Sequence, residues 1–437
     1  MDENGPFGTA AQQANYAIDP NLKTPYSMMY TFGIQRELPG SFVVEANYFA
    51  RLGRRLLAQS DAGQVVNFKD PASGQFLANA FASLSRQVRA NPTAPVTAQP
   101  FFENQIPAAI GVDCATAFGE SCSQFIVDNL GVLVARGDMG DVVQALSNGL
   151  LTPGVGLAPQ FVTDAYITNK SSSSYNGLLL TLHKKPSHNV QFDFNYTYSH
   201  SIDNVSSPAN NVFGQTAGFS GGLICDVSNL RVCRGNSDFD VTHSITVNGI
   251  YDLPVGHGQR FGGNISGWLN QIIGGWQIAG IQTWRTGFAF TTTANAFPIS
   301  FFGNVPAVFD GNTGALRTDV HTDPATGALQ LFADPTTARG AFSGPLGLQA
   351  GSRNNLRGPR FSNLDLAFSK HFPIRERFGL EFRAEAYNAF NHPNFGLPGV
   401  INANIGTADI TNPGQFGVIT TTASDPREFQ FALRFDF

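Results

Sequence analysis

The sequence predicts an all-β fold, a transmembrane antiparallel β-barrel, and three observations predict it. Apolar and polar residues alternate over segments of about ten residues or more, the length a tilted strand needs to cross a bilayer. Tight turns and long links alternate between these segments. Only 14% of the 437 residues are Asp, Glu, Lys or Arg, where soluble domains average roughly a quarter. The abundant Phe, Tyr, Gly, Asn, Ser and Thr suit strands and turns. No stretch approaches the roughly 18 uninterrupted apolar residues of a transmembrane helix, so a chain of this composition meets a membrane as a barrel. The net charge of −5, with no basic run, speaks against nucleic-acid binding, which needs a clustered Lys/Arg footprint.

The C-terminal segment 427–437 places Phe429, Phe431, Leu433, Phe435 and Phe437 on one face and Glu428, Gln430, Ala432, Arg434 and Asp436 on the other. One such strand fits any sheet; repetition is what discriminates. Val190, Phe192, Phe194, Tyr196 and Tyr198 alternate with Gln191, Asp193, Asn195, Thr197 and Ser199. Phe378, Leu380, Phe382, Ala384 and Ala386 alternate with Glu381, Arg383 and Glu385. The alternate face carries carboxylates and arginines, which a dry sandwich core does not accept unpaired.

Nine strands are expected, at about 25–37, 41–56, 174–185, 189–202, 241–253, 275–291, 361–373, 378–391 and 427–437. The sixth is the least regular, because Gln282 falls on the face of Trp276, Ile278 and Trp284. Tight turns are expected at Leu38-Pro39-Gly40, Pro186-Ser187-His188 and Arg375-Glu376-Arg377, with a moderate link from Pro254 to Gly274. Long links fall at 57–173, 203–240, 292–360 and 392–426, and the first contains helical spacing at Phe76–Val88 and Phe125–Arg136. Counting back from a periplasmic C-terminus puts every short turn in the periplasm and every long link outside, the asymmetry of outer-membrane barrels. Tyr26, Tyr48, Tyr196, Tyr198, Trp276 and Trp284 are candidates for an aromatic girdle. In nine up-and-down strands the first and last run the same way and cannot close antiparallel. The expectation is therefore an open piece of a larger, even-numbered barrel, with an aggregation-prone edge. The segment Met1–Ala17 lacks the features of a secretion signal, so either the protein is not exported or its natural N-terminus lies further upstream.

Cys114 with Cys122 and Cys225 with Cys233 share one spacing, and both pairs fall in long links. Local disulfides suit an oxidising exterior; free thiols and a metal site are the alternatives, though zinc sites use tighter spacing with His partners. Gly218-Phe219-Ser220-Gly221-Gly222 matches a nucleophile elbow formally, but no helix follows it. The run Gly256–Gly263 is not spaced as a phosphate-binding loop and opens no helix. His183 and His243 read as lumen or interface residues. No catalytic, cofactor-binding or metal residue is assigned.

Ordered motifs add a family resemblance. Asn21-Leu22-Lys23-Thr24-Pro25-Tyr26 leads into Gly33-Ile34-Gln35-Arg36-Glu37-Leu38-Pro39-Gly40. Ser174-Tyr175-Asn176-Gly177-Leu178, Tyr196-Thr197-Tyr198-Ser199, Gly274-Gly275-Trp276-Gln277 and Phe382-Arg383-Ala384-Glu385 follow. The last is Asn388-Ala389-Phe390-Asn391-His392-Pro393-Asn394-Phe395. In this order they resemble the C-terminal barrel portion of the Oar-like TonB-dependent receptors, best represented in acidobacteria. The resemblance implies a 22-stranded barrel, a plug domain inside it, a TonB box coupling it to the TonB complex, and often a carboxypeptidase-regulatory-like domain. The last three are not in this sequence, and the match begins partway through the barrel. It also implies that Phe437 is read by the barrel-assembly machinery. On this basis Glu45, Arg51, Asp193, Glu381, Arg383, Glu385 and Arg434 are lumen residues that contact the plug or line a solute path.

The expected partners are outer-membrane lipid, a plug domain and upstream strands, and the location is the outer membrane. Energised uptake of a scarce solute is the leading expectation; an adhesin-like surface barrel and a passive porin are the alternatives. An enzyme is the least supported class, for want of a convergent nucleophile, base or metal cluster.

Overall fold

The computed structural model describes residues 13–61, 63–156, 161–206, 223–232, 234–299, 305–375, 378–399 and 407–436. Nine long strands form its main sheet: β1 (Tyr26–Leu38), β2 (Phe42–Asp61), β3 (Phe161–Ser187), β4 (Val190–Asp203), β5 (His243–Asp252), β6 (Trp276–Arg285), β7 (Phe361–Arg375), β8 (Phe378–Tyr387) and β9 (Glu428–Asp436). They lie side by side in chain order, each antiparallel to the next. Among the described residues the sheet is open, with β1 and β9 as the ends of the meander. No helix among the described residues is long and apolar enough to cross a membrane.

Because side chains alternate, one pairing fixes the face of every residue in both strands. Ile34 lies opposite Ala46, then follow Leu180, Tyr196, Ile245 and Trp284 in one row across six strands. At the far end Phe368, Ala384 and Phe431 form a matching row. This face is apolar and open: Phe32 is 66% exposed and Leu433 70%. A band of that extent is a surface for lipid, not water. The six girdle aromatics all fall on it. Gln282 also does, and its amide donates to the Thr283 carbonyl (3.0 Å) and Ser362 Oγ (3.2 Å) rather than facing hydrocarbon unpaired.

Two lysines share the apolar face, and both sit at the rim of the short turns. Lys184 Nζ donates to the Gly40 carbonyl (2.6 Å) and lies over the Phe42 ring. Lys370 Nζ donates to the Gly274 carbonyl and lies over Trp276. Their stems cover apolar surface while their heads reach turn carbonyls, the snorkelling expected of lysines at a membrane boundary. The turns themselves are tight for a backbone reason. Gly40 and Ser41, and again His188 and Asn189, are consecutive left-handed residues, the geometry that joins twisted antiparallel strands directly.

The structure departs from the sequence-based boundaries in three places. Strands β2 and β3 run on past 56 and 174, pairing Asp61 with Ala165 and Leu56 with Ser171 beyond register shifts after Gly53. The segment Lys170-Ser171-Ser172-Ser173-Ser174 has no apolar alternation, yet a backbone ladder does not need one. Strand β6 stops at Arg285. Residues Ala289–Thr293 leave the sheet to pair with Leu356–Arg357 and Thr407–Asp409, and at Gly287 the two backbones approach so closely that a Cβ would meet the Gly358 carbonyl at 1.9 Å. Strand β8 ends at Tyr387, where left-handed Asn388 and Asn391 turn the chain.

The long links carry their own cores. Residues 63–156 form helices α1 (Leu77–Ala90), α2 (Pro100–Ile110), α3 (Cys114–Phe118), α4 (Cys122–Arg136) and α5 (Met139–Ser147). In α1 the apolar stripe Leu77, Phe81, Leu84 and Val88 follows helical spacing and is buried against Phe101, Phe102, Ile126 and Met139. A second core packs Phe290, Phe332, Phe342 and Phe416 from the last two long links. On the opposite rim, the link after β5 contains α6 (Gly267–Ile273), capped against the sheet by a Trp276 Nε1 hydrogen bond to the Ile272 carbonyl (2.9 Å).

The two faces make opposite demands on a charge. Leu180→Arg, mid-strand on the apolar face, is expected to cost roughly 2–4 kcal/mol. Thr197→Arg, on the other face of the adjoining strand, is expected to cost under about 1 kcal/mol. Urea titration of the protein folded into phospholipid vesicles measures both; equal costs would contradict the assignment of faces.

Candidate functional site

The face opposite the lipid surface is mainly polar, with a few apolar residues such as Ile250 and Ile281 among the polar ones. Glu45 opens a row that continues through Thr181, Asn195, Thr246, Thr283 and Asn363. The next row toward the short turns runs His183, Asp193, Asn248, Ile281 and Asp365. Glu381 stands opposite Arg434 and His371, and Glu385 opposite Gln430 and Ala367. The register therefore places Glu45, Arg51, Asp193, Glu381, Arg383, Glu385 and Arg434 on one face of one sheet.

Local contacts order some of these groups. Asp193 pairs with His183 Nδ1 and accepts from Asn248 Nδ2 (3.1 Å). Arg383 stands between Glu381 (3.1 Å) and Glu385 (3.7 Å) along its own strand, and Glu385 accepts from the Tyr387 hydroxyl (3.0 Å). Arg51 reaches Ser27 Oγ at 3.4 Å. Exposed pairs of this kind contribute little to stability; they leave a hydrated surface able to hold charged or hydrogen-bonding groups.

Above this face, at the rim of the long links, lies a buried ionic cluster. Arg353 pairs with Asp203, at the end of β4, and with Asp238 (3.3 Å), and donates to Ser206 Oγ (3.0 Å). Arg357 pairs with Asp240, which accepts from the Ser201 amide (2.5 Å). Asn354 donates to Asp238 (2.6 Å) and to the Asn236 carbonyl (2.7 Å). Arg353 and Asp240 are 5% and 1% exposed. Burial pushes the Asp238 carboxyl up while the Arg353 guanidinium pulls it down. The cluster clamps the 203–242 link to the 286–360 link over the sheet. Local sequence gives no sign of it, because the paired residues stand more than a hundred positions apart.

A cavity of about 520 Å3 opens beside the clamp, between the ends of β6 and β7 and the last long link. Its floor is pinned by Asn394, whose Oδ1 accepts from the Ser362 amide (2.7 Å) and whose Nδ2 donates to the Ser362 carbonyl (2.9 Å) and Ser424 Oγ (3.0 Å). The Gly396 amide donates to the Thr421 carbonyl (2.8 Å), and a Cβ on Gly396 would meet Thr421 Oγ1 at 2.3 Å. Arg285, Phe288, Phe361, Phe395 and Leu397 are in its walls.

Cys114 and Cys122 are joined by a disulfide. Glu103 beside them accepts from the Cys122 and Ser123 amides at 3.0 and 2.9 Å, so it caps α4, and the paired sulfurs are already committed to each other. Cys225 is disulfide-bonded; Cys233, Phe437 and Gly218–Gly222 lie outside the described residues. His243 Nδ1 is 2.8 Å from the Tyr196 hydroxyl. The run Gly256–Gly263 is a turn closed by backbone bonds between Gly256 and Phe261 and between Gly258 and Gly263.

Within the helical cap, Asp138 starts α5 and accepts from the Asp141 and Phe297 amides, both at 3.3 Å. Burial, and then the Asp141 carboxylate, push its carboxyl up to about 7 from 3.8. The folded cap thus binds a proton that the unfolded cap releases near pH 4, so stability falls as pH rises from about 4 to about 7 and is level above. Protease resistance of residues 77–147 followed from pH 4 to 8 is expected to decline over that window. Asp138→Asn should flatten the profile; an unchanged slope in that variant would contradict the assignment.

The profile of the outer membrane beta barrel domain family matches residues 1–430. No curated protein matches the chain. Among solved structures it is similar to the outer membrane transporter YddB from Escherichia coli, at 10% identity and TM-score 0.40, over 97% of this chain and 34% of that one. It is similar to P. aeruginosa FpvA, solved bound to heterologous pyoverdines, at 10% identity and TM-score 0.31, over 98% and 29%. For the siderophore receptor PiuA from Acinetobacter baumannii the values are 9% identity and TM-score 0.18, over 94% and 49%. The chain spans about a third of the length of the first two. With the family profile over nearly the whole chain, and with an alternating sheet that turns one apolar face to lipid, the chain belongs to the outer membrane beta barrel domain family.

Proposed function

We propose that the chain is the C-terminal barrel portion of an Oar-like TonB-dependent receptor that takes up a scarce solute across the outer membrane with energy from the TonB complex. The observation that carries this reading is the combination of a hydrated inner face with two independently packed loop cores standing over the same rim. An open passive pore has no use for roofing of that size, whereas a gated path does: solute is captured outside and released inward only when coupled. Loops that bind are held by a rigid scaffold, and the Arg353 clamp supplies that rigidity here.

In this reading Glu45, Arg51, Asp193, Glu381, Arg383, Glu385 and Arg434 face a plug domain, donating to and accepting from its backbone and polar side chains. Strands β1 and β9 run in the same direction and cannot pair antiparallel with each other, so further strands complete the wall. Phe437 is the residue recognised during barrel assembly, and the disulfides at Cys114, Cys122, Cys225 and Cys233 stiffen the outer loops.

The test is growth of the source strain and an in-frame deletion across a panel of sole carbon, nitrogen and metal sources. A deficit confined to particular sources, and reproduced by depleting TonB, is expected. A deficit that persists identically whatever the TonB level would point to a passive porin. Unaltered growth on every source with reduced surface attachment would favour an adhesin-like barrel.

A further inference from the structure

Arg285 occupies an unusual setting. It is the last residue of β6, on the polar face, directly opposite Phe361. Its guanidinium carbon lies 4.0 Å from the Phe288 ring centroid and 4.9 Å from that of Phe361. Rings held that close to a guanidinium attract it through their π faces and take up none of its in-plane N–H donors. Among the described residues no carboxylate lies within ion-pair distance of it, and no hydrogen bond takes up its donors.

Arg285 is also part of the wall of the cavity described above. The cavity volume, about 520 Å3, lies within the range of small-molecule sites, roughly 300–1,000 Å3. Phe395 and Leu397 are apolar members of its lining, and Thr421, Thr422 and Ser424 are polar ones. Close glycine contacts at Gly287, Gly358 and Gly396 hold the walls at fixed separation, so the space is built by packing and not by a loose loop. Asp425 also lines the cavity, but it is exposed and unpaired with Arg285.

We propose that this cavity binds a small organic carboxylate with a flat apolar body. The two carboxylate oxygens match the in-plane donors of a guanidinium, a bidentate pairing stronger than a neutral hydrogen bond, and the flat body lies against Phe395 and Leu397. As a substrate class, this rests on the reading of the polar face as a solute path; as a binding site, it stands on the cavity itself.

The experiment is saturation-transfer NMR on the full-length protein purified from outer membranes, with benzoate as the probe and benzamide as its neutral counterpart. Heat-modifiable gel mobility identifies folded protein for each variant. Benzoate is expected to bind at least tenfold more tightly than benzamide, with the preference lost in Arg285→Gln and partly kept in Arg285→Lys. Leu397→Trp fills the cavity, leaves Arg285 in place, and is expected to abolish benzoate binding; it decides the matter if Arg285→Gln does not fold. Equal binding of the two probes, no benzoate binding, or undiminished binding in Leu397→Trp would overturn the proposal. The measurement needs no membrane energy, so benzoate binding without TonB-dependent growth would sink the transport reading alone. TonB-dependent growth without benzoate binding would sink this inference alone.

Discussion

Backbone amides and carbonyls in hydrocarbon have no water to bond to, and the rest of this structure follows from that constraint. A segment crossing the bilayer must hand each of these groups to a neighbour, and β1 to β9 do so through ladders that run strand to strand in chain order. Once the ladder is fixed, alternation is no longer a preference but a geometric rule. Every residue faces lipid or the polar side, and a shift by one would turn Asp193 and Glu381 into hydrocarbon. The apolar row from Ile34 to Trp284 and the polar row from Glu45 to Asn363 are two readings of one register.

The same rule explains the exceptions. Lys184 and Lys370 break the apolar pattern, yet each stands within reach of a turn carbonyl at the boundary, where a charged head escapes the hydrocarbon. Gln282 breaks it mid-strand and satisfies its amide on neighbouring residues. At the opposite rim the ladder ends, and side chains take over its work. Arg353, Asn354 and Arg357 collect the carboxylates of Asp203, Asp238 and Asp240 in a buried, hydrogen-bonded cluster. Ion pairs withdrawn from water stabilise only when their remaining donors and acceptors are also matched, and here Ser201, Ser206 and Asn236 match them. The clamp then holds two links in register with the sheet, and the Arg285 cavity lies between the ends of β6 and β7 and the last link.

What could be read in the sequence was whatever period two encodes. The terminal strand around Phe431 and the Val190 to Tyr198 stretch of β4 announce their faces residue by residue, and the helical stripe Leu77, Phe81, Leu84, Val88 announces its own. Backbone-only features were silent. The serine run before Tyr175 extends β3 without any apolar signal, and the close approach at Gly287, just past the end of β6, is to a carbonyl of Gly358, far along the chain. Helices α2, α3 and α5 are short, so a stripe such as Met139, Val142, Val143 and Leu146 in α5 spans only two turns and gives a weak signal in a long link. The polar-face residues were legible because alternation assigns faces; the clamp and the cavity were not, because their members, such as Asp203 with Arg353 and Arg285 with Thr421, come together only through the fold.

The central claim is that one unbroken register divides the chain into a lipid face and a polar face. Spin labels placed singly along β3 from residue 175 to 183, in membranes, report it directly through collision with oxygen and with a water-soluble nickel chelate. Even-numbered positions are expected to favour oxygen and odd-numbered ones nickel, in strict alternation, with the phase continued at 192 to 198 in β4. Accessibility without a period of two, or with the phase reversed between β3 and β4, would contradict the account.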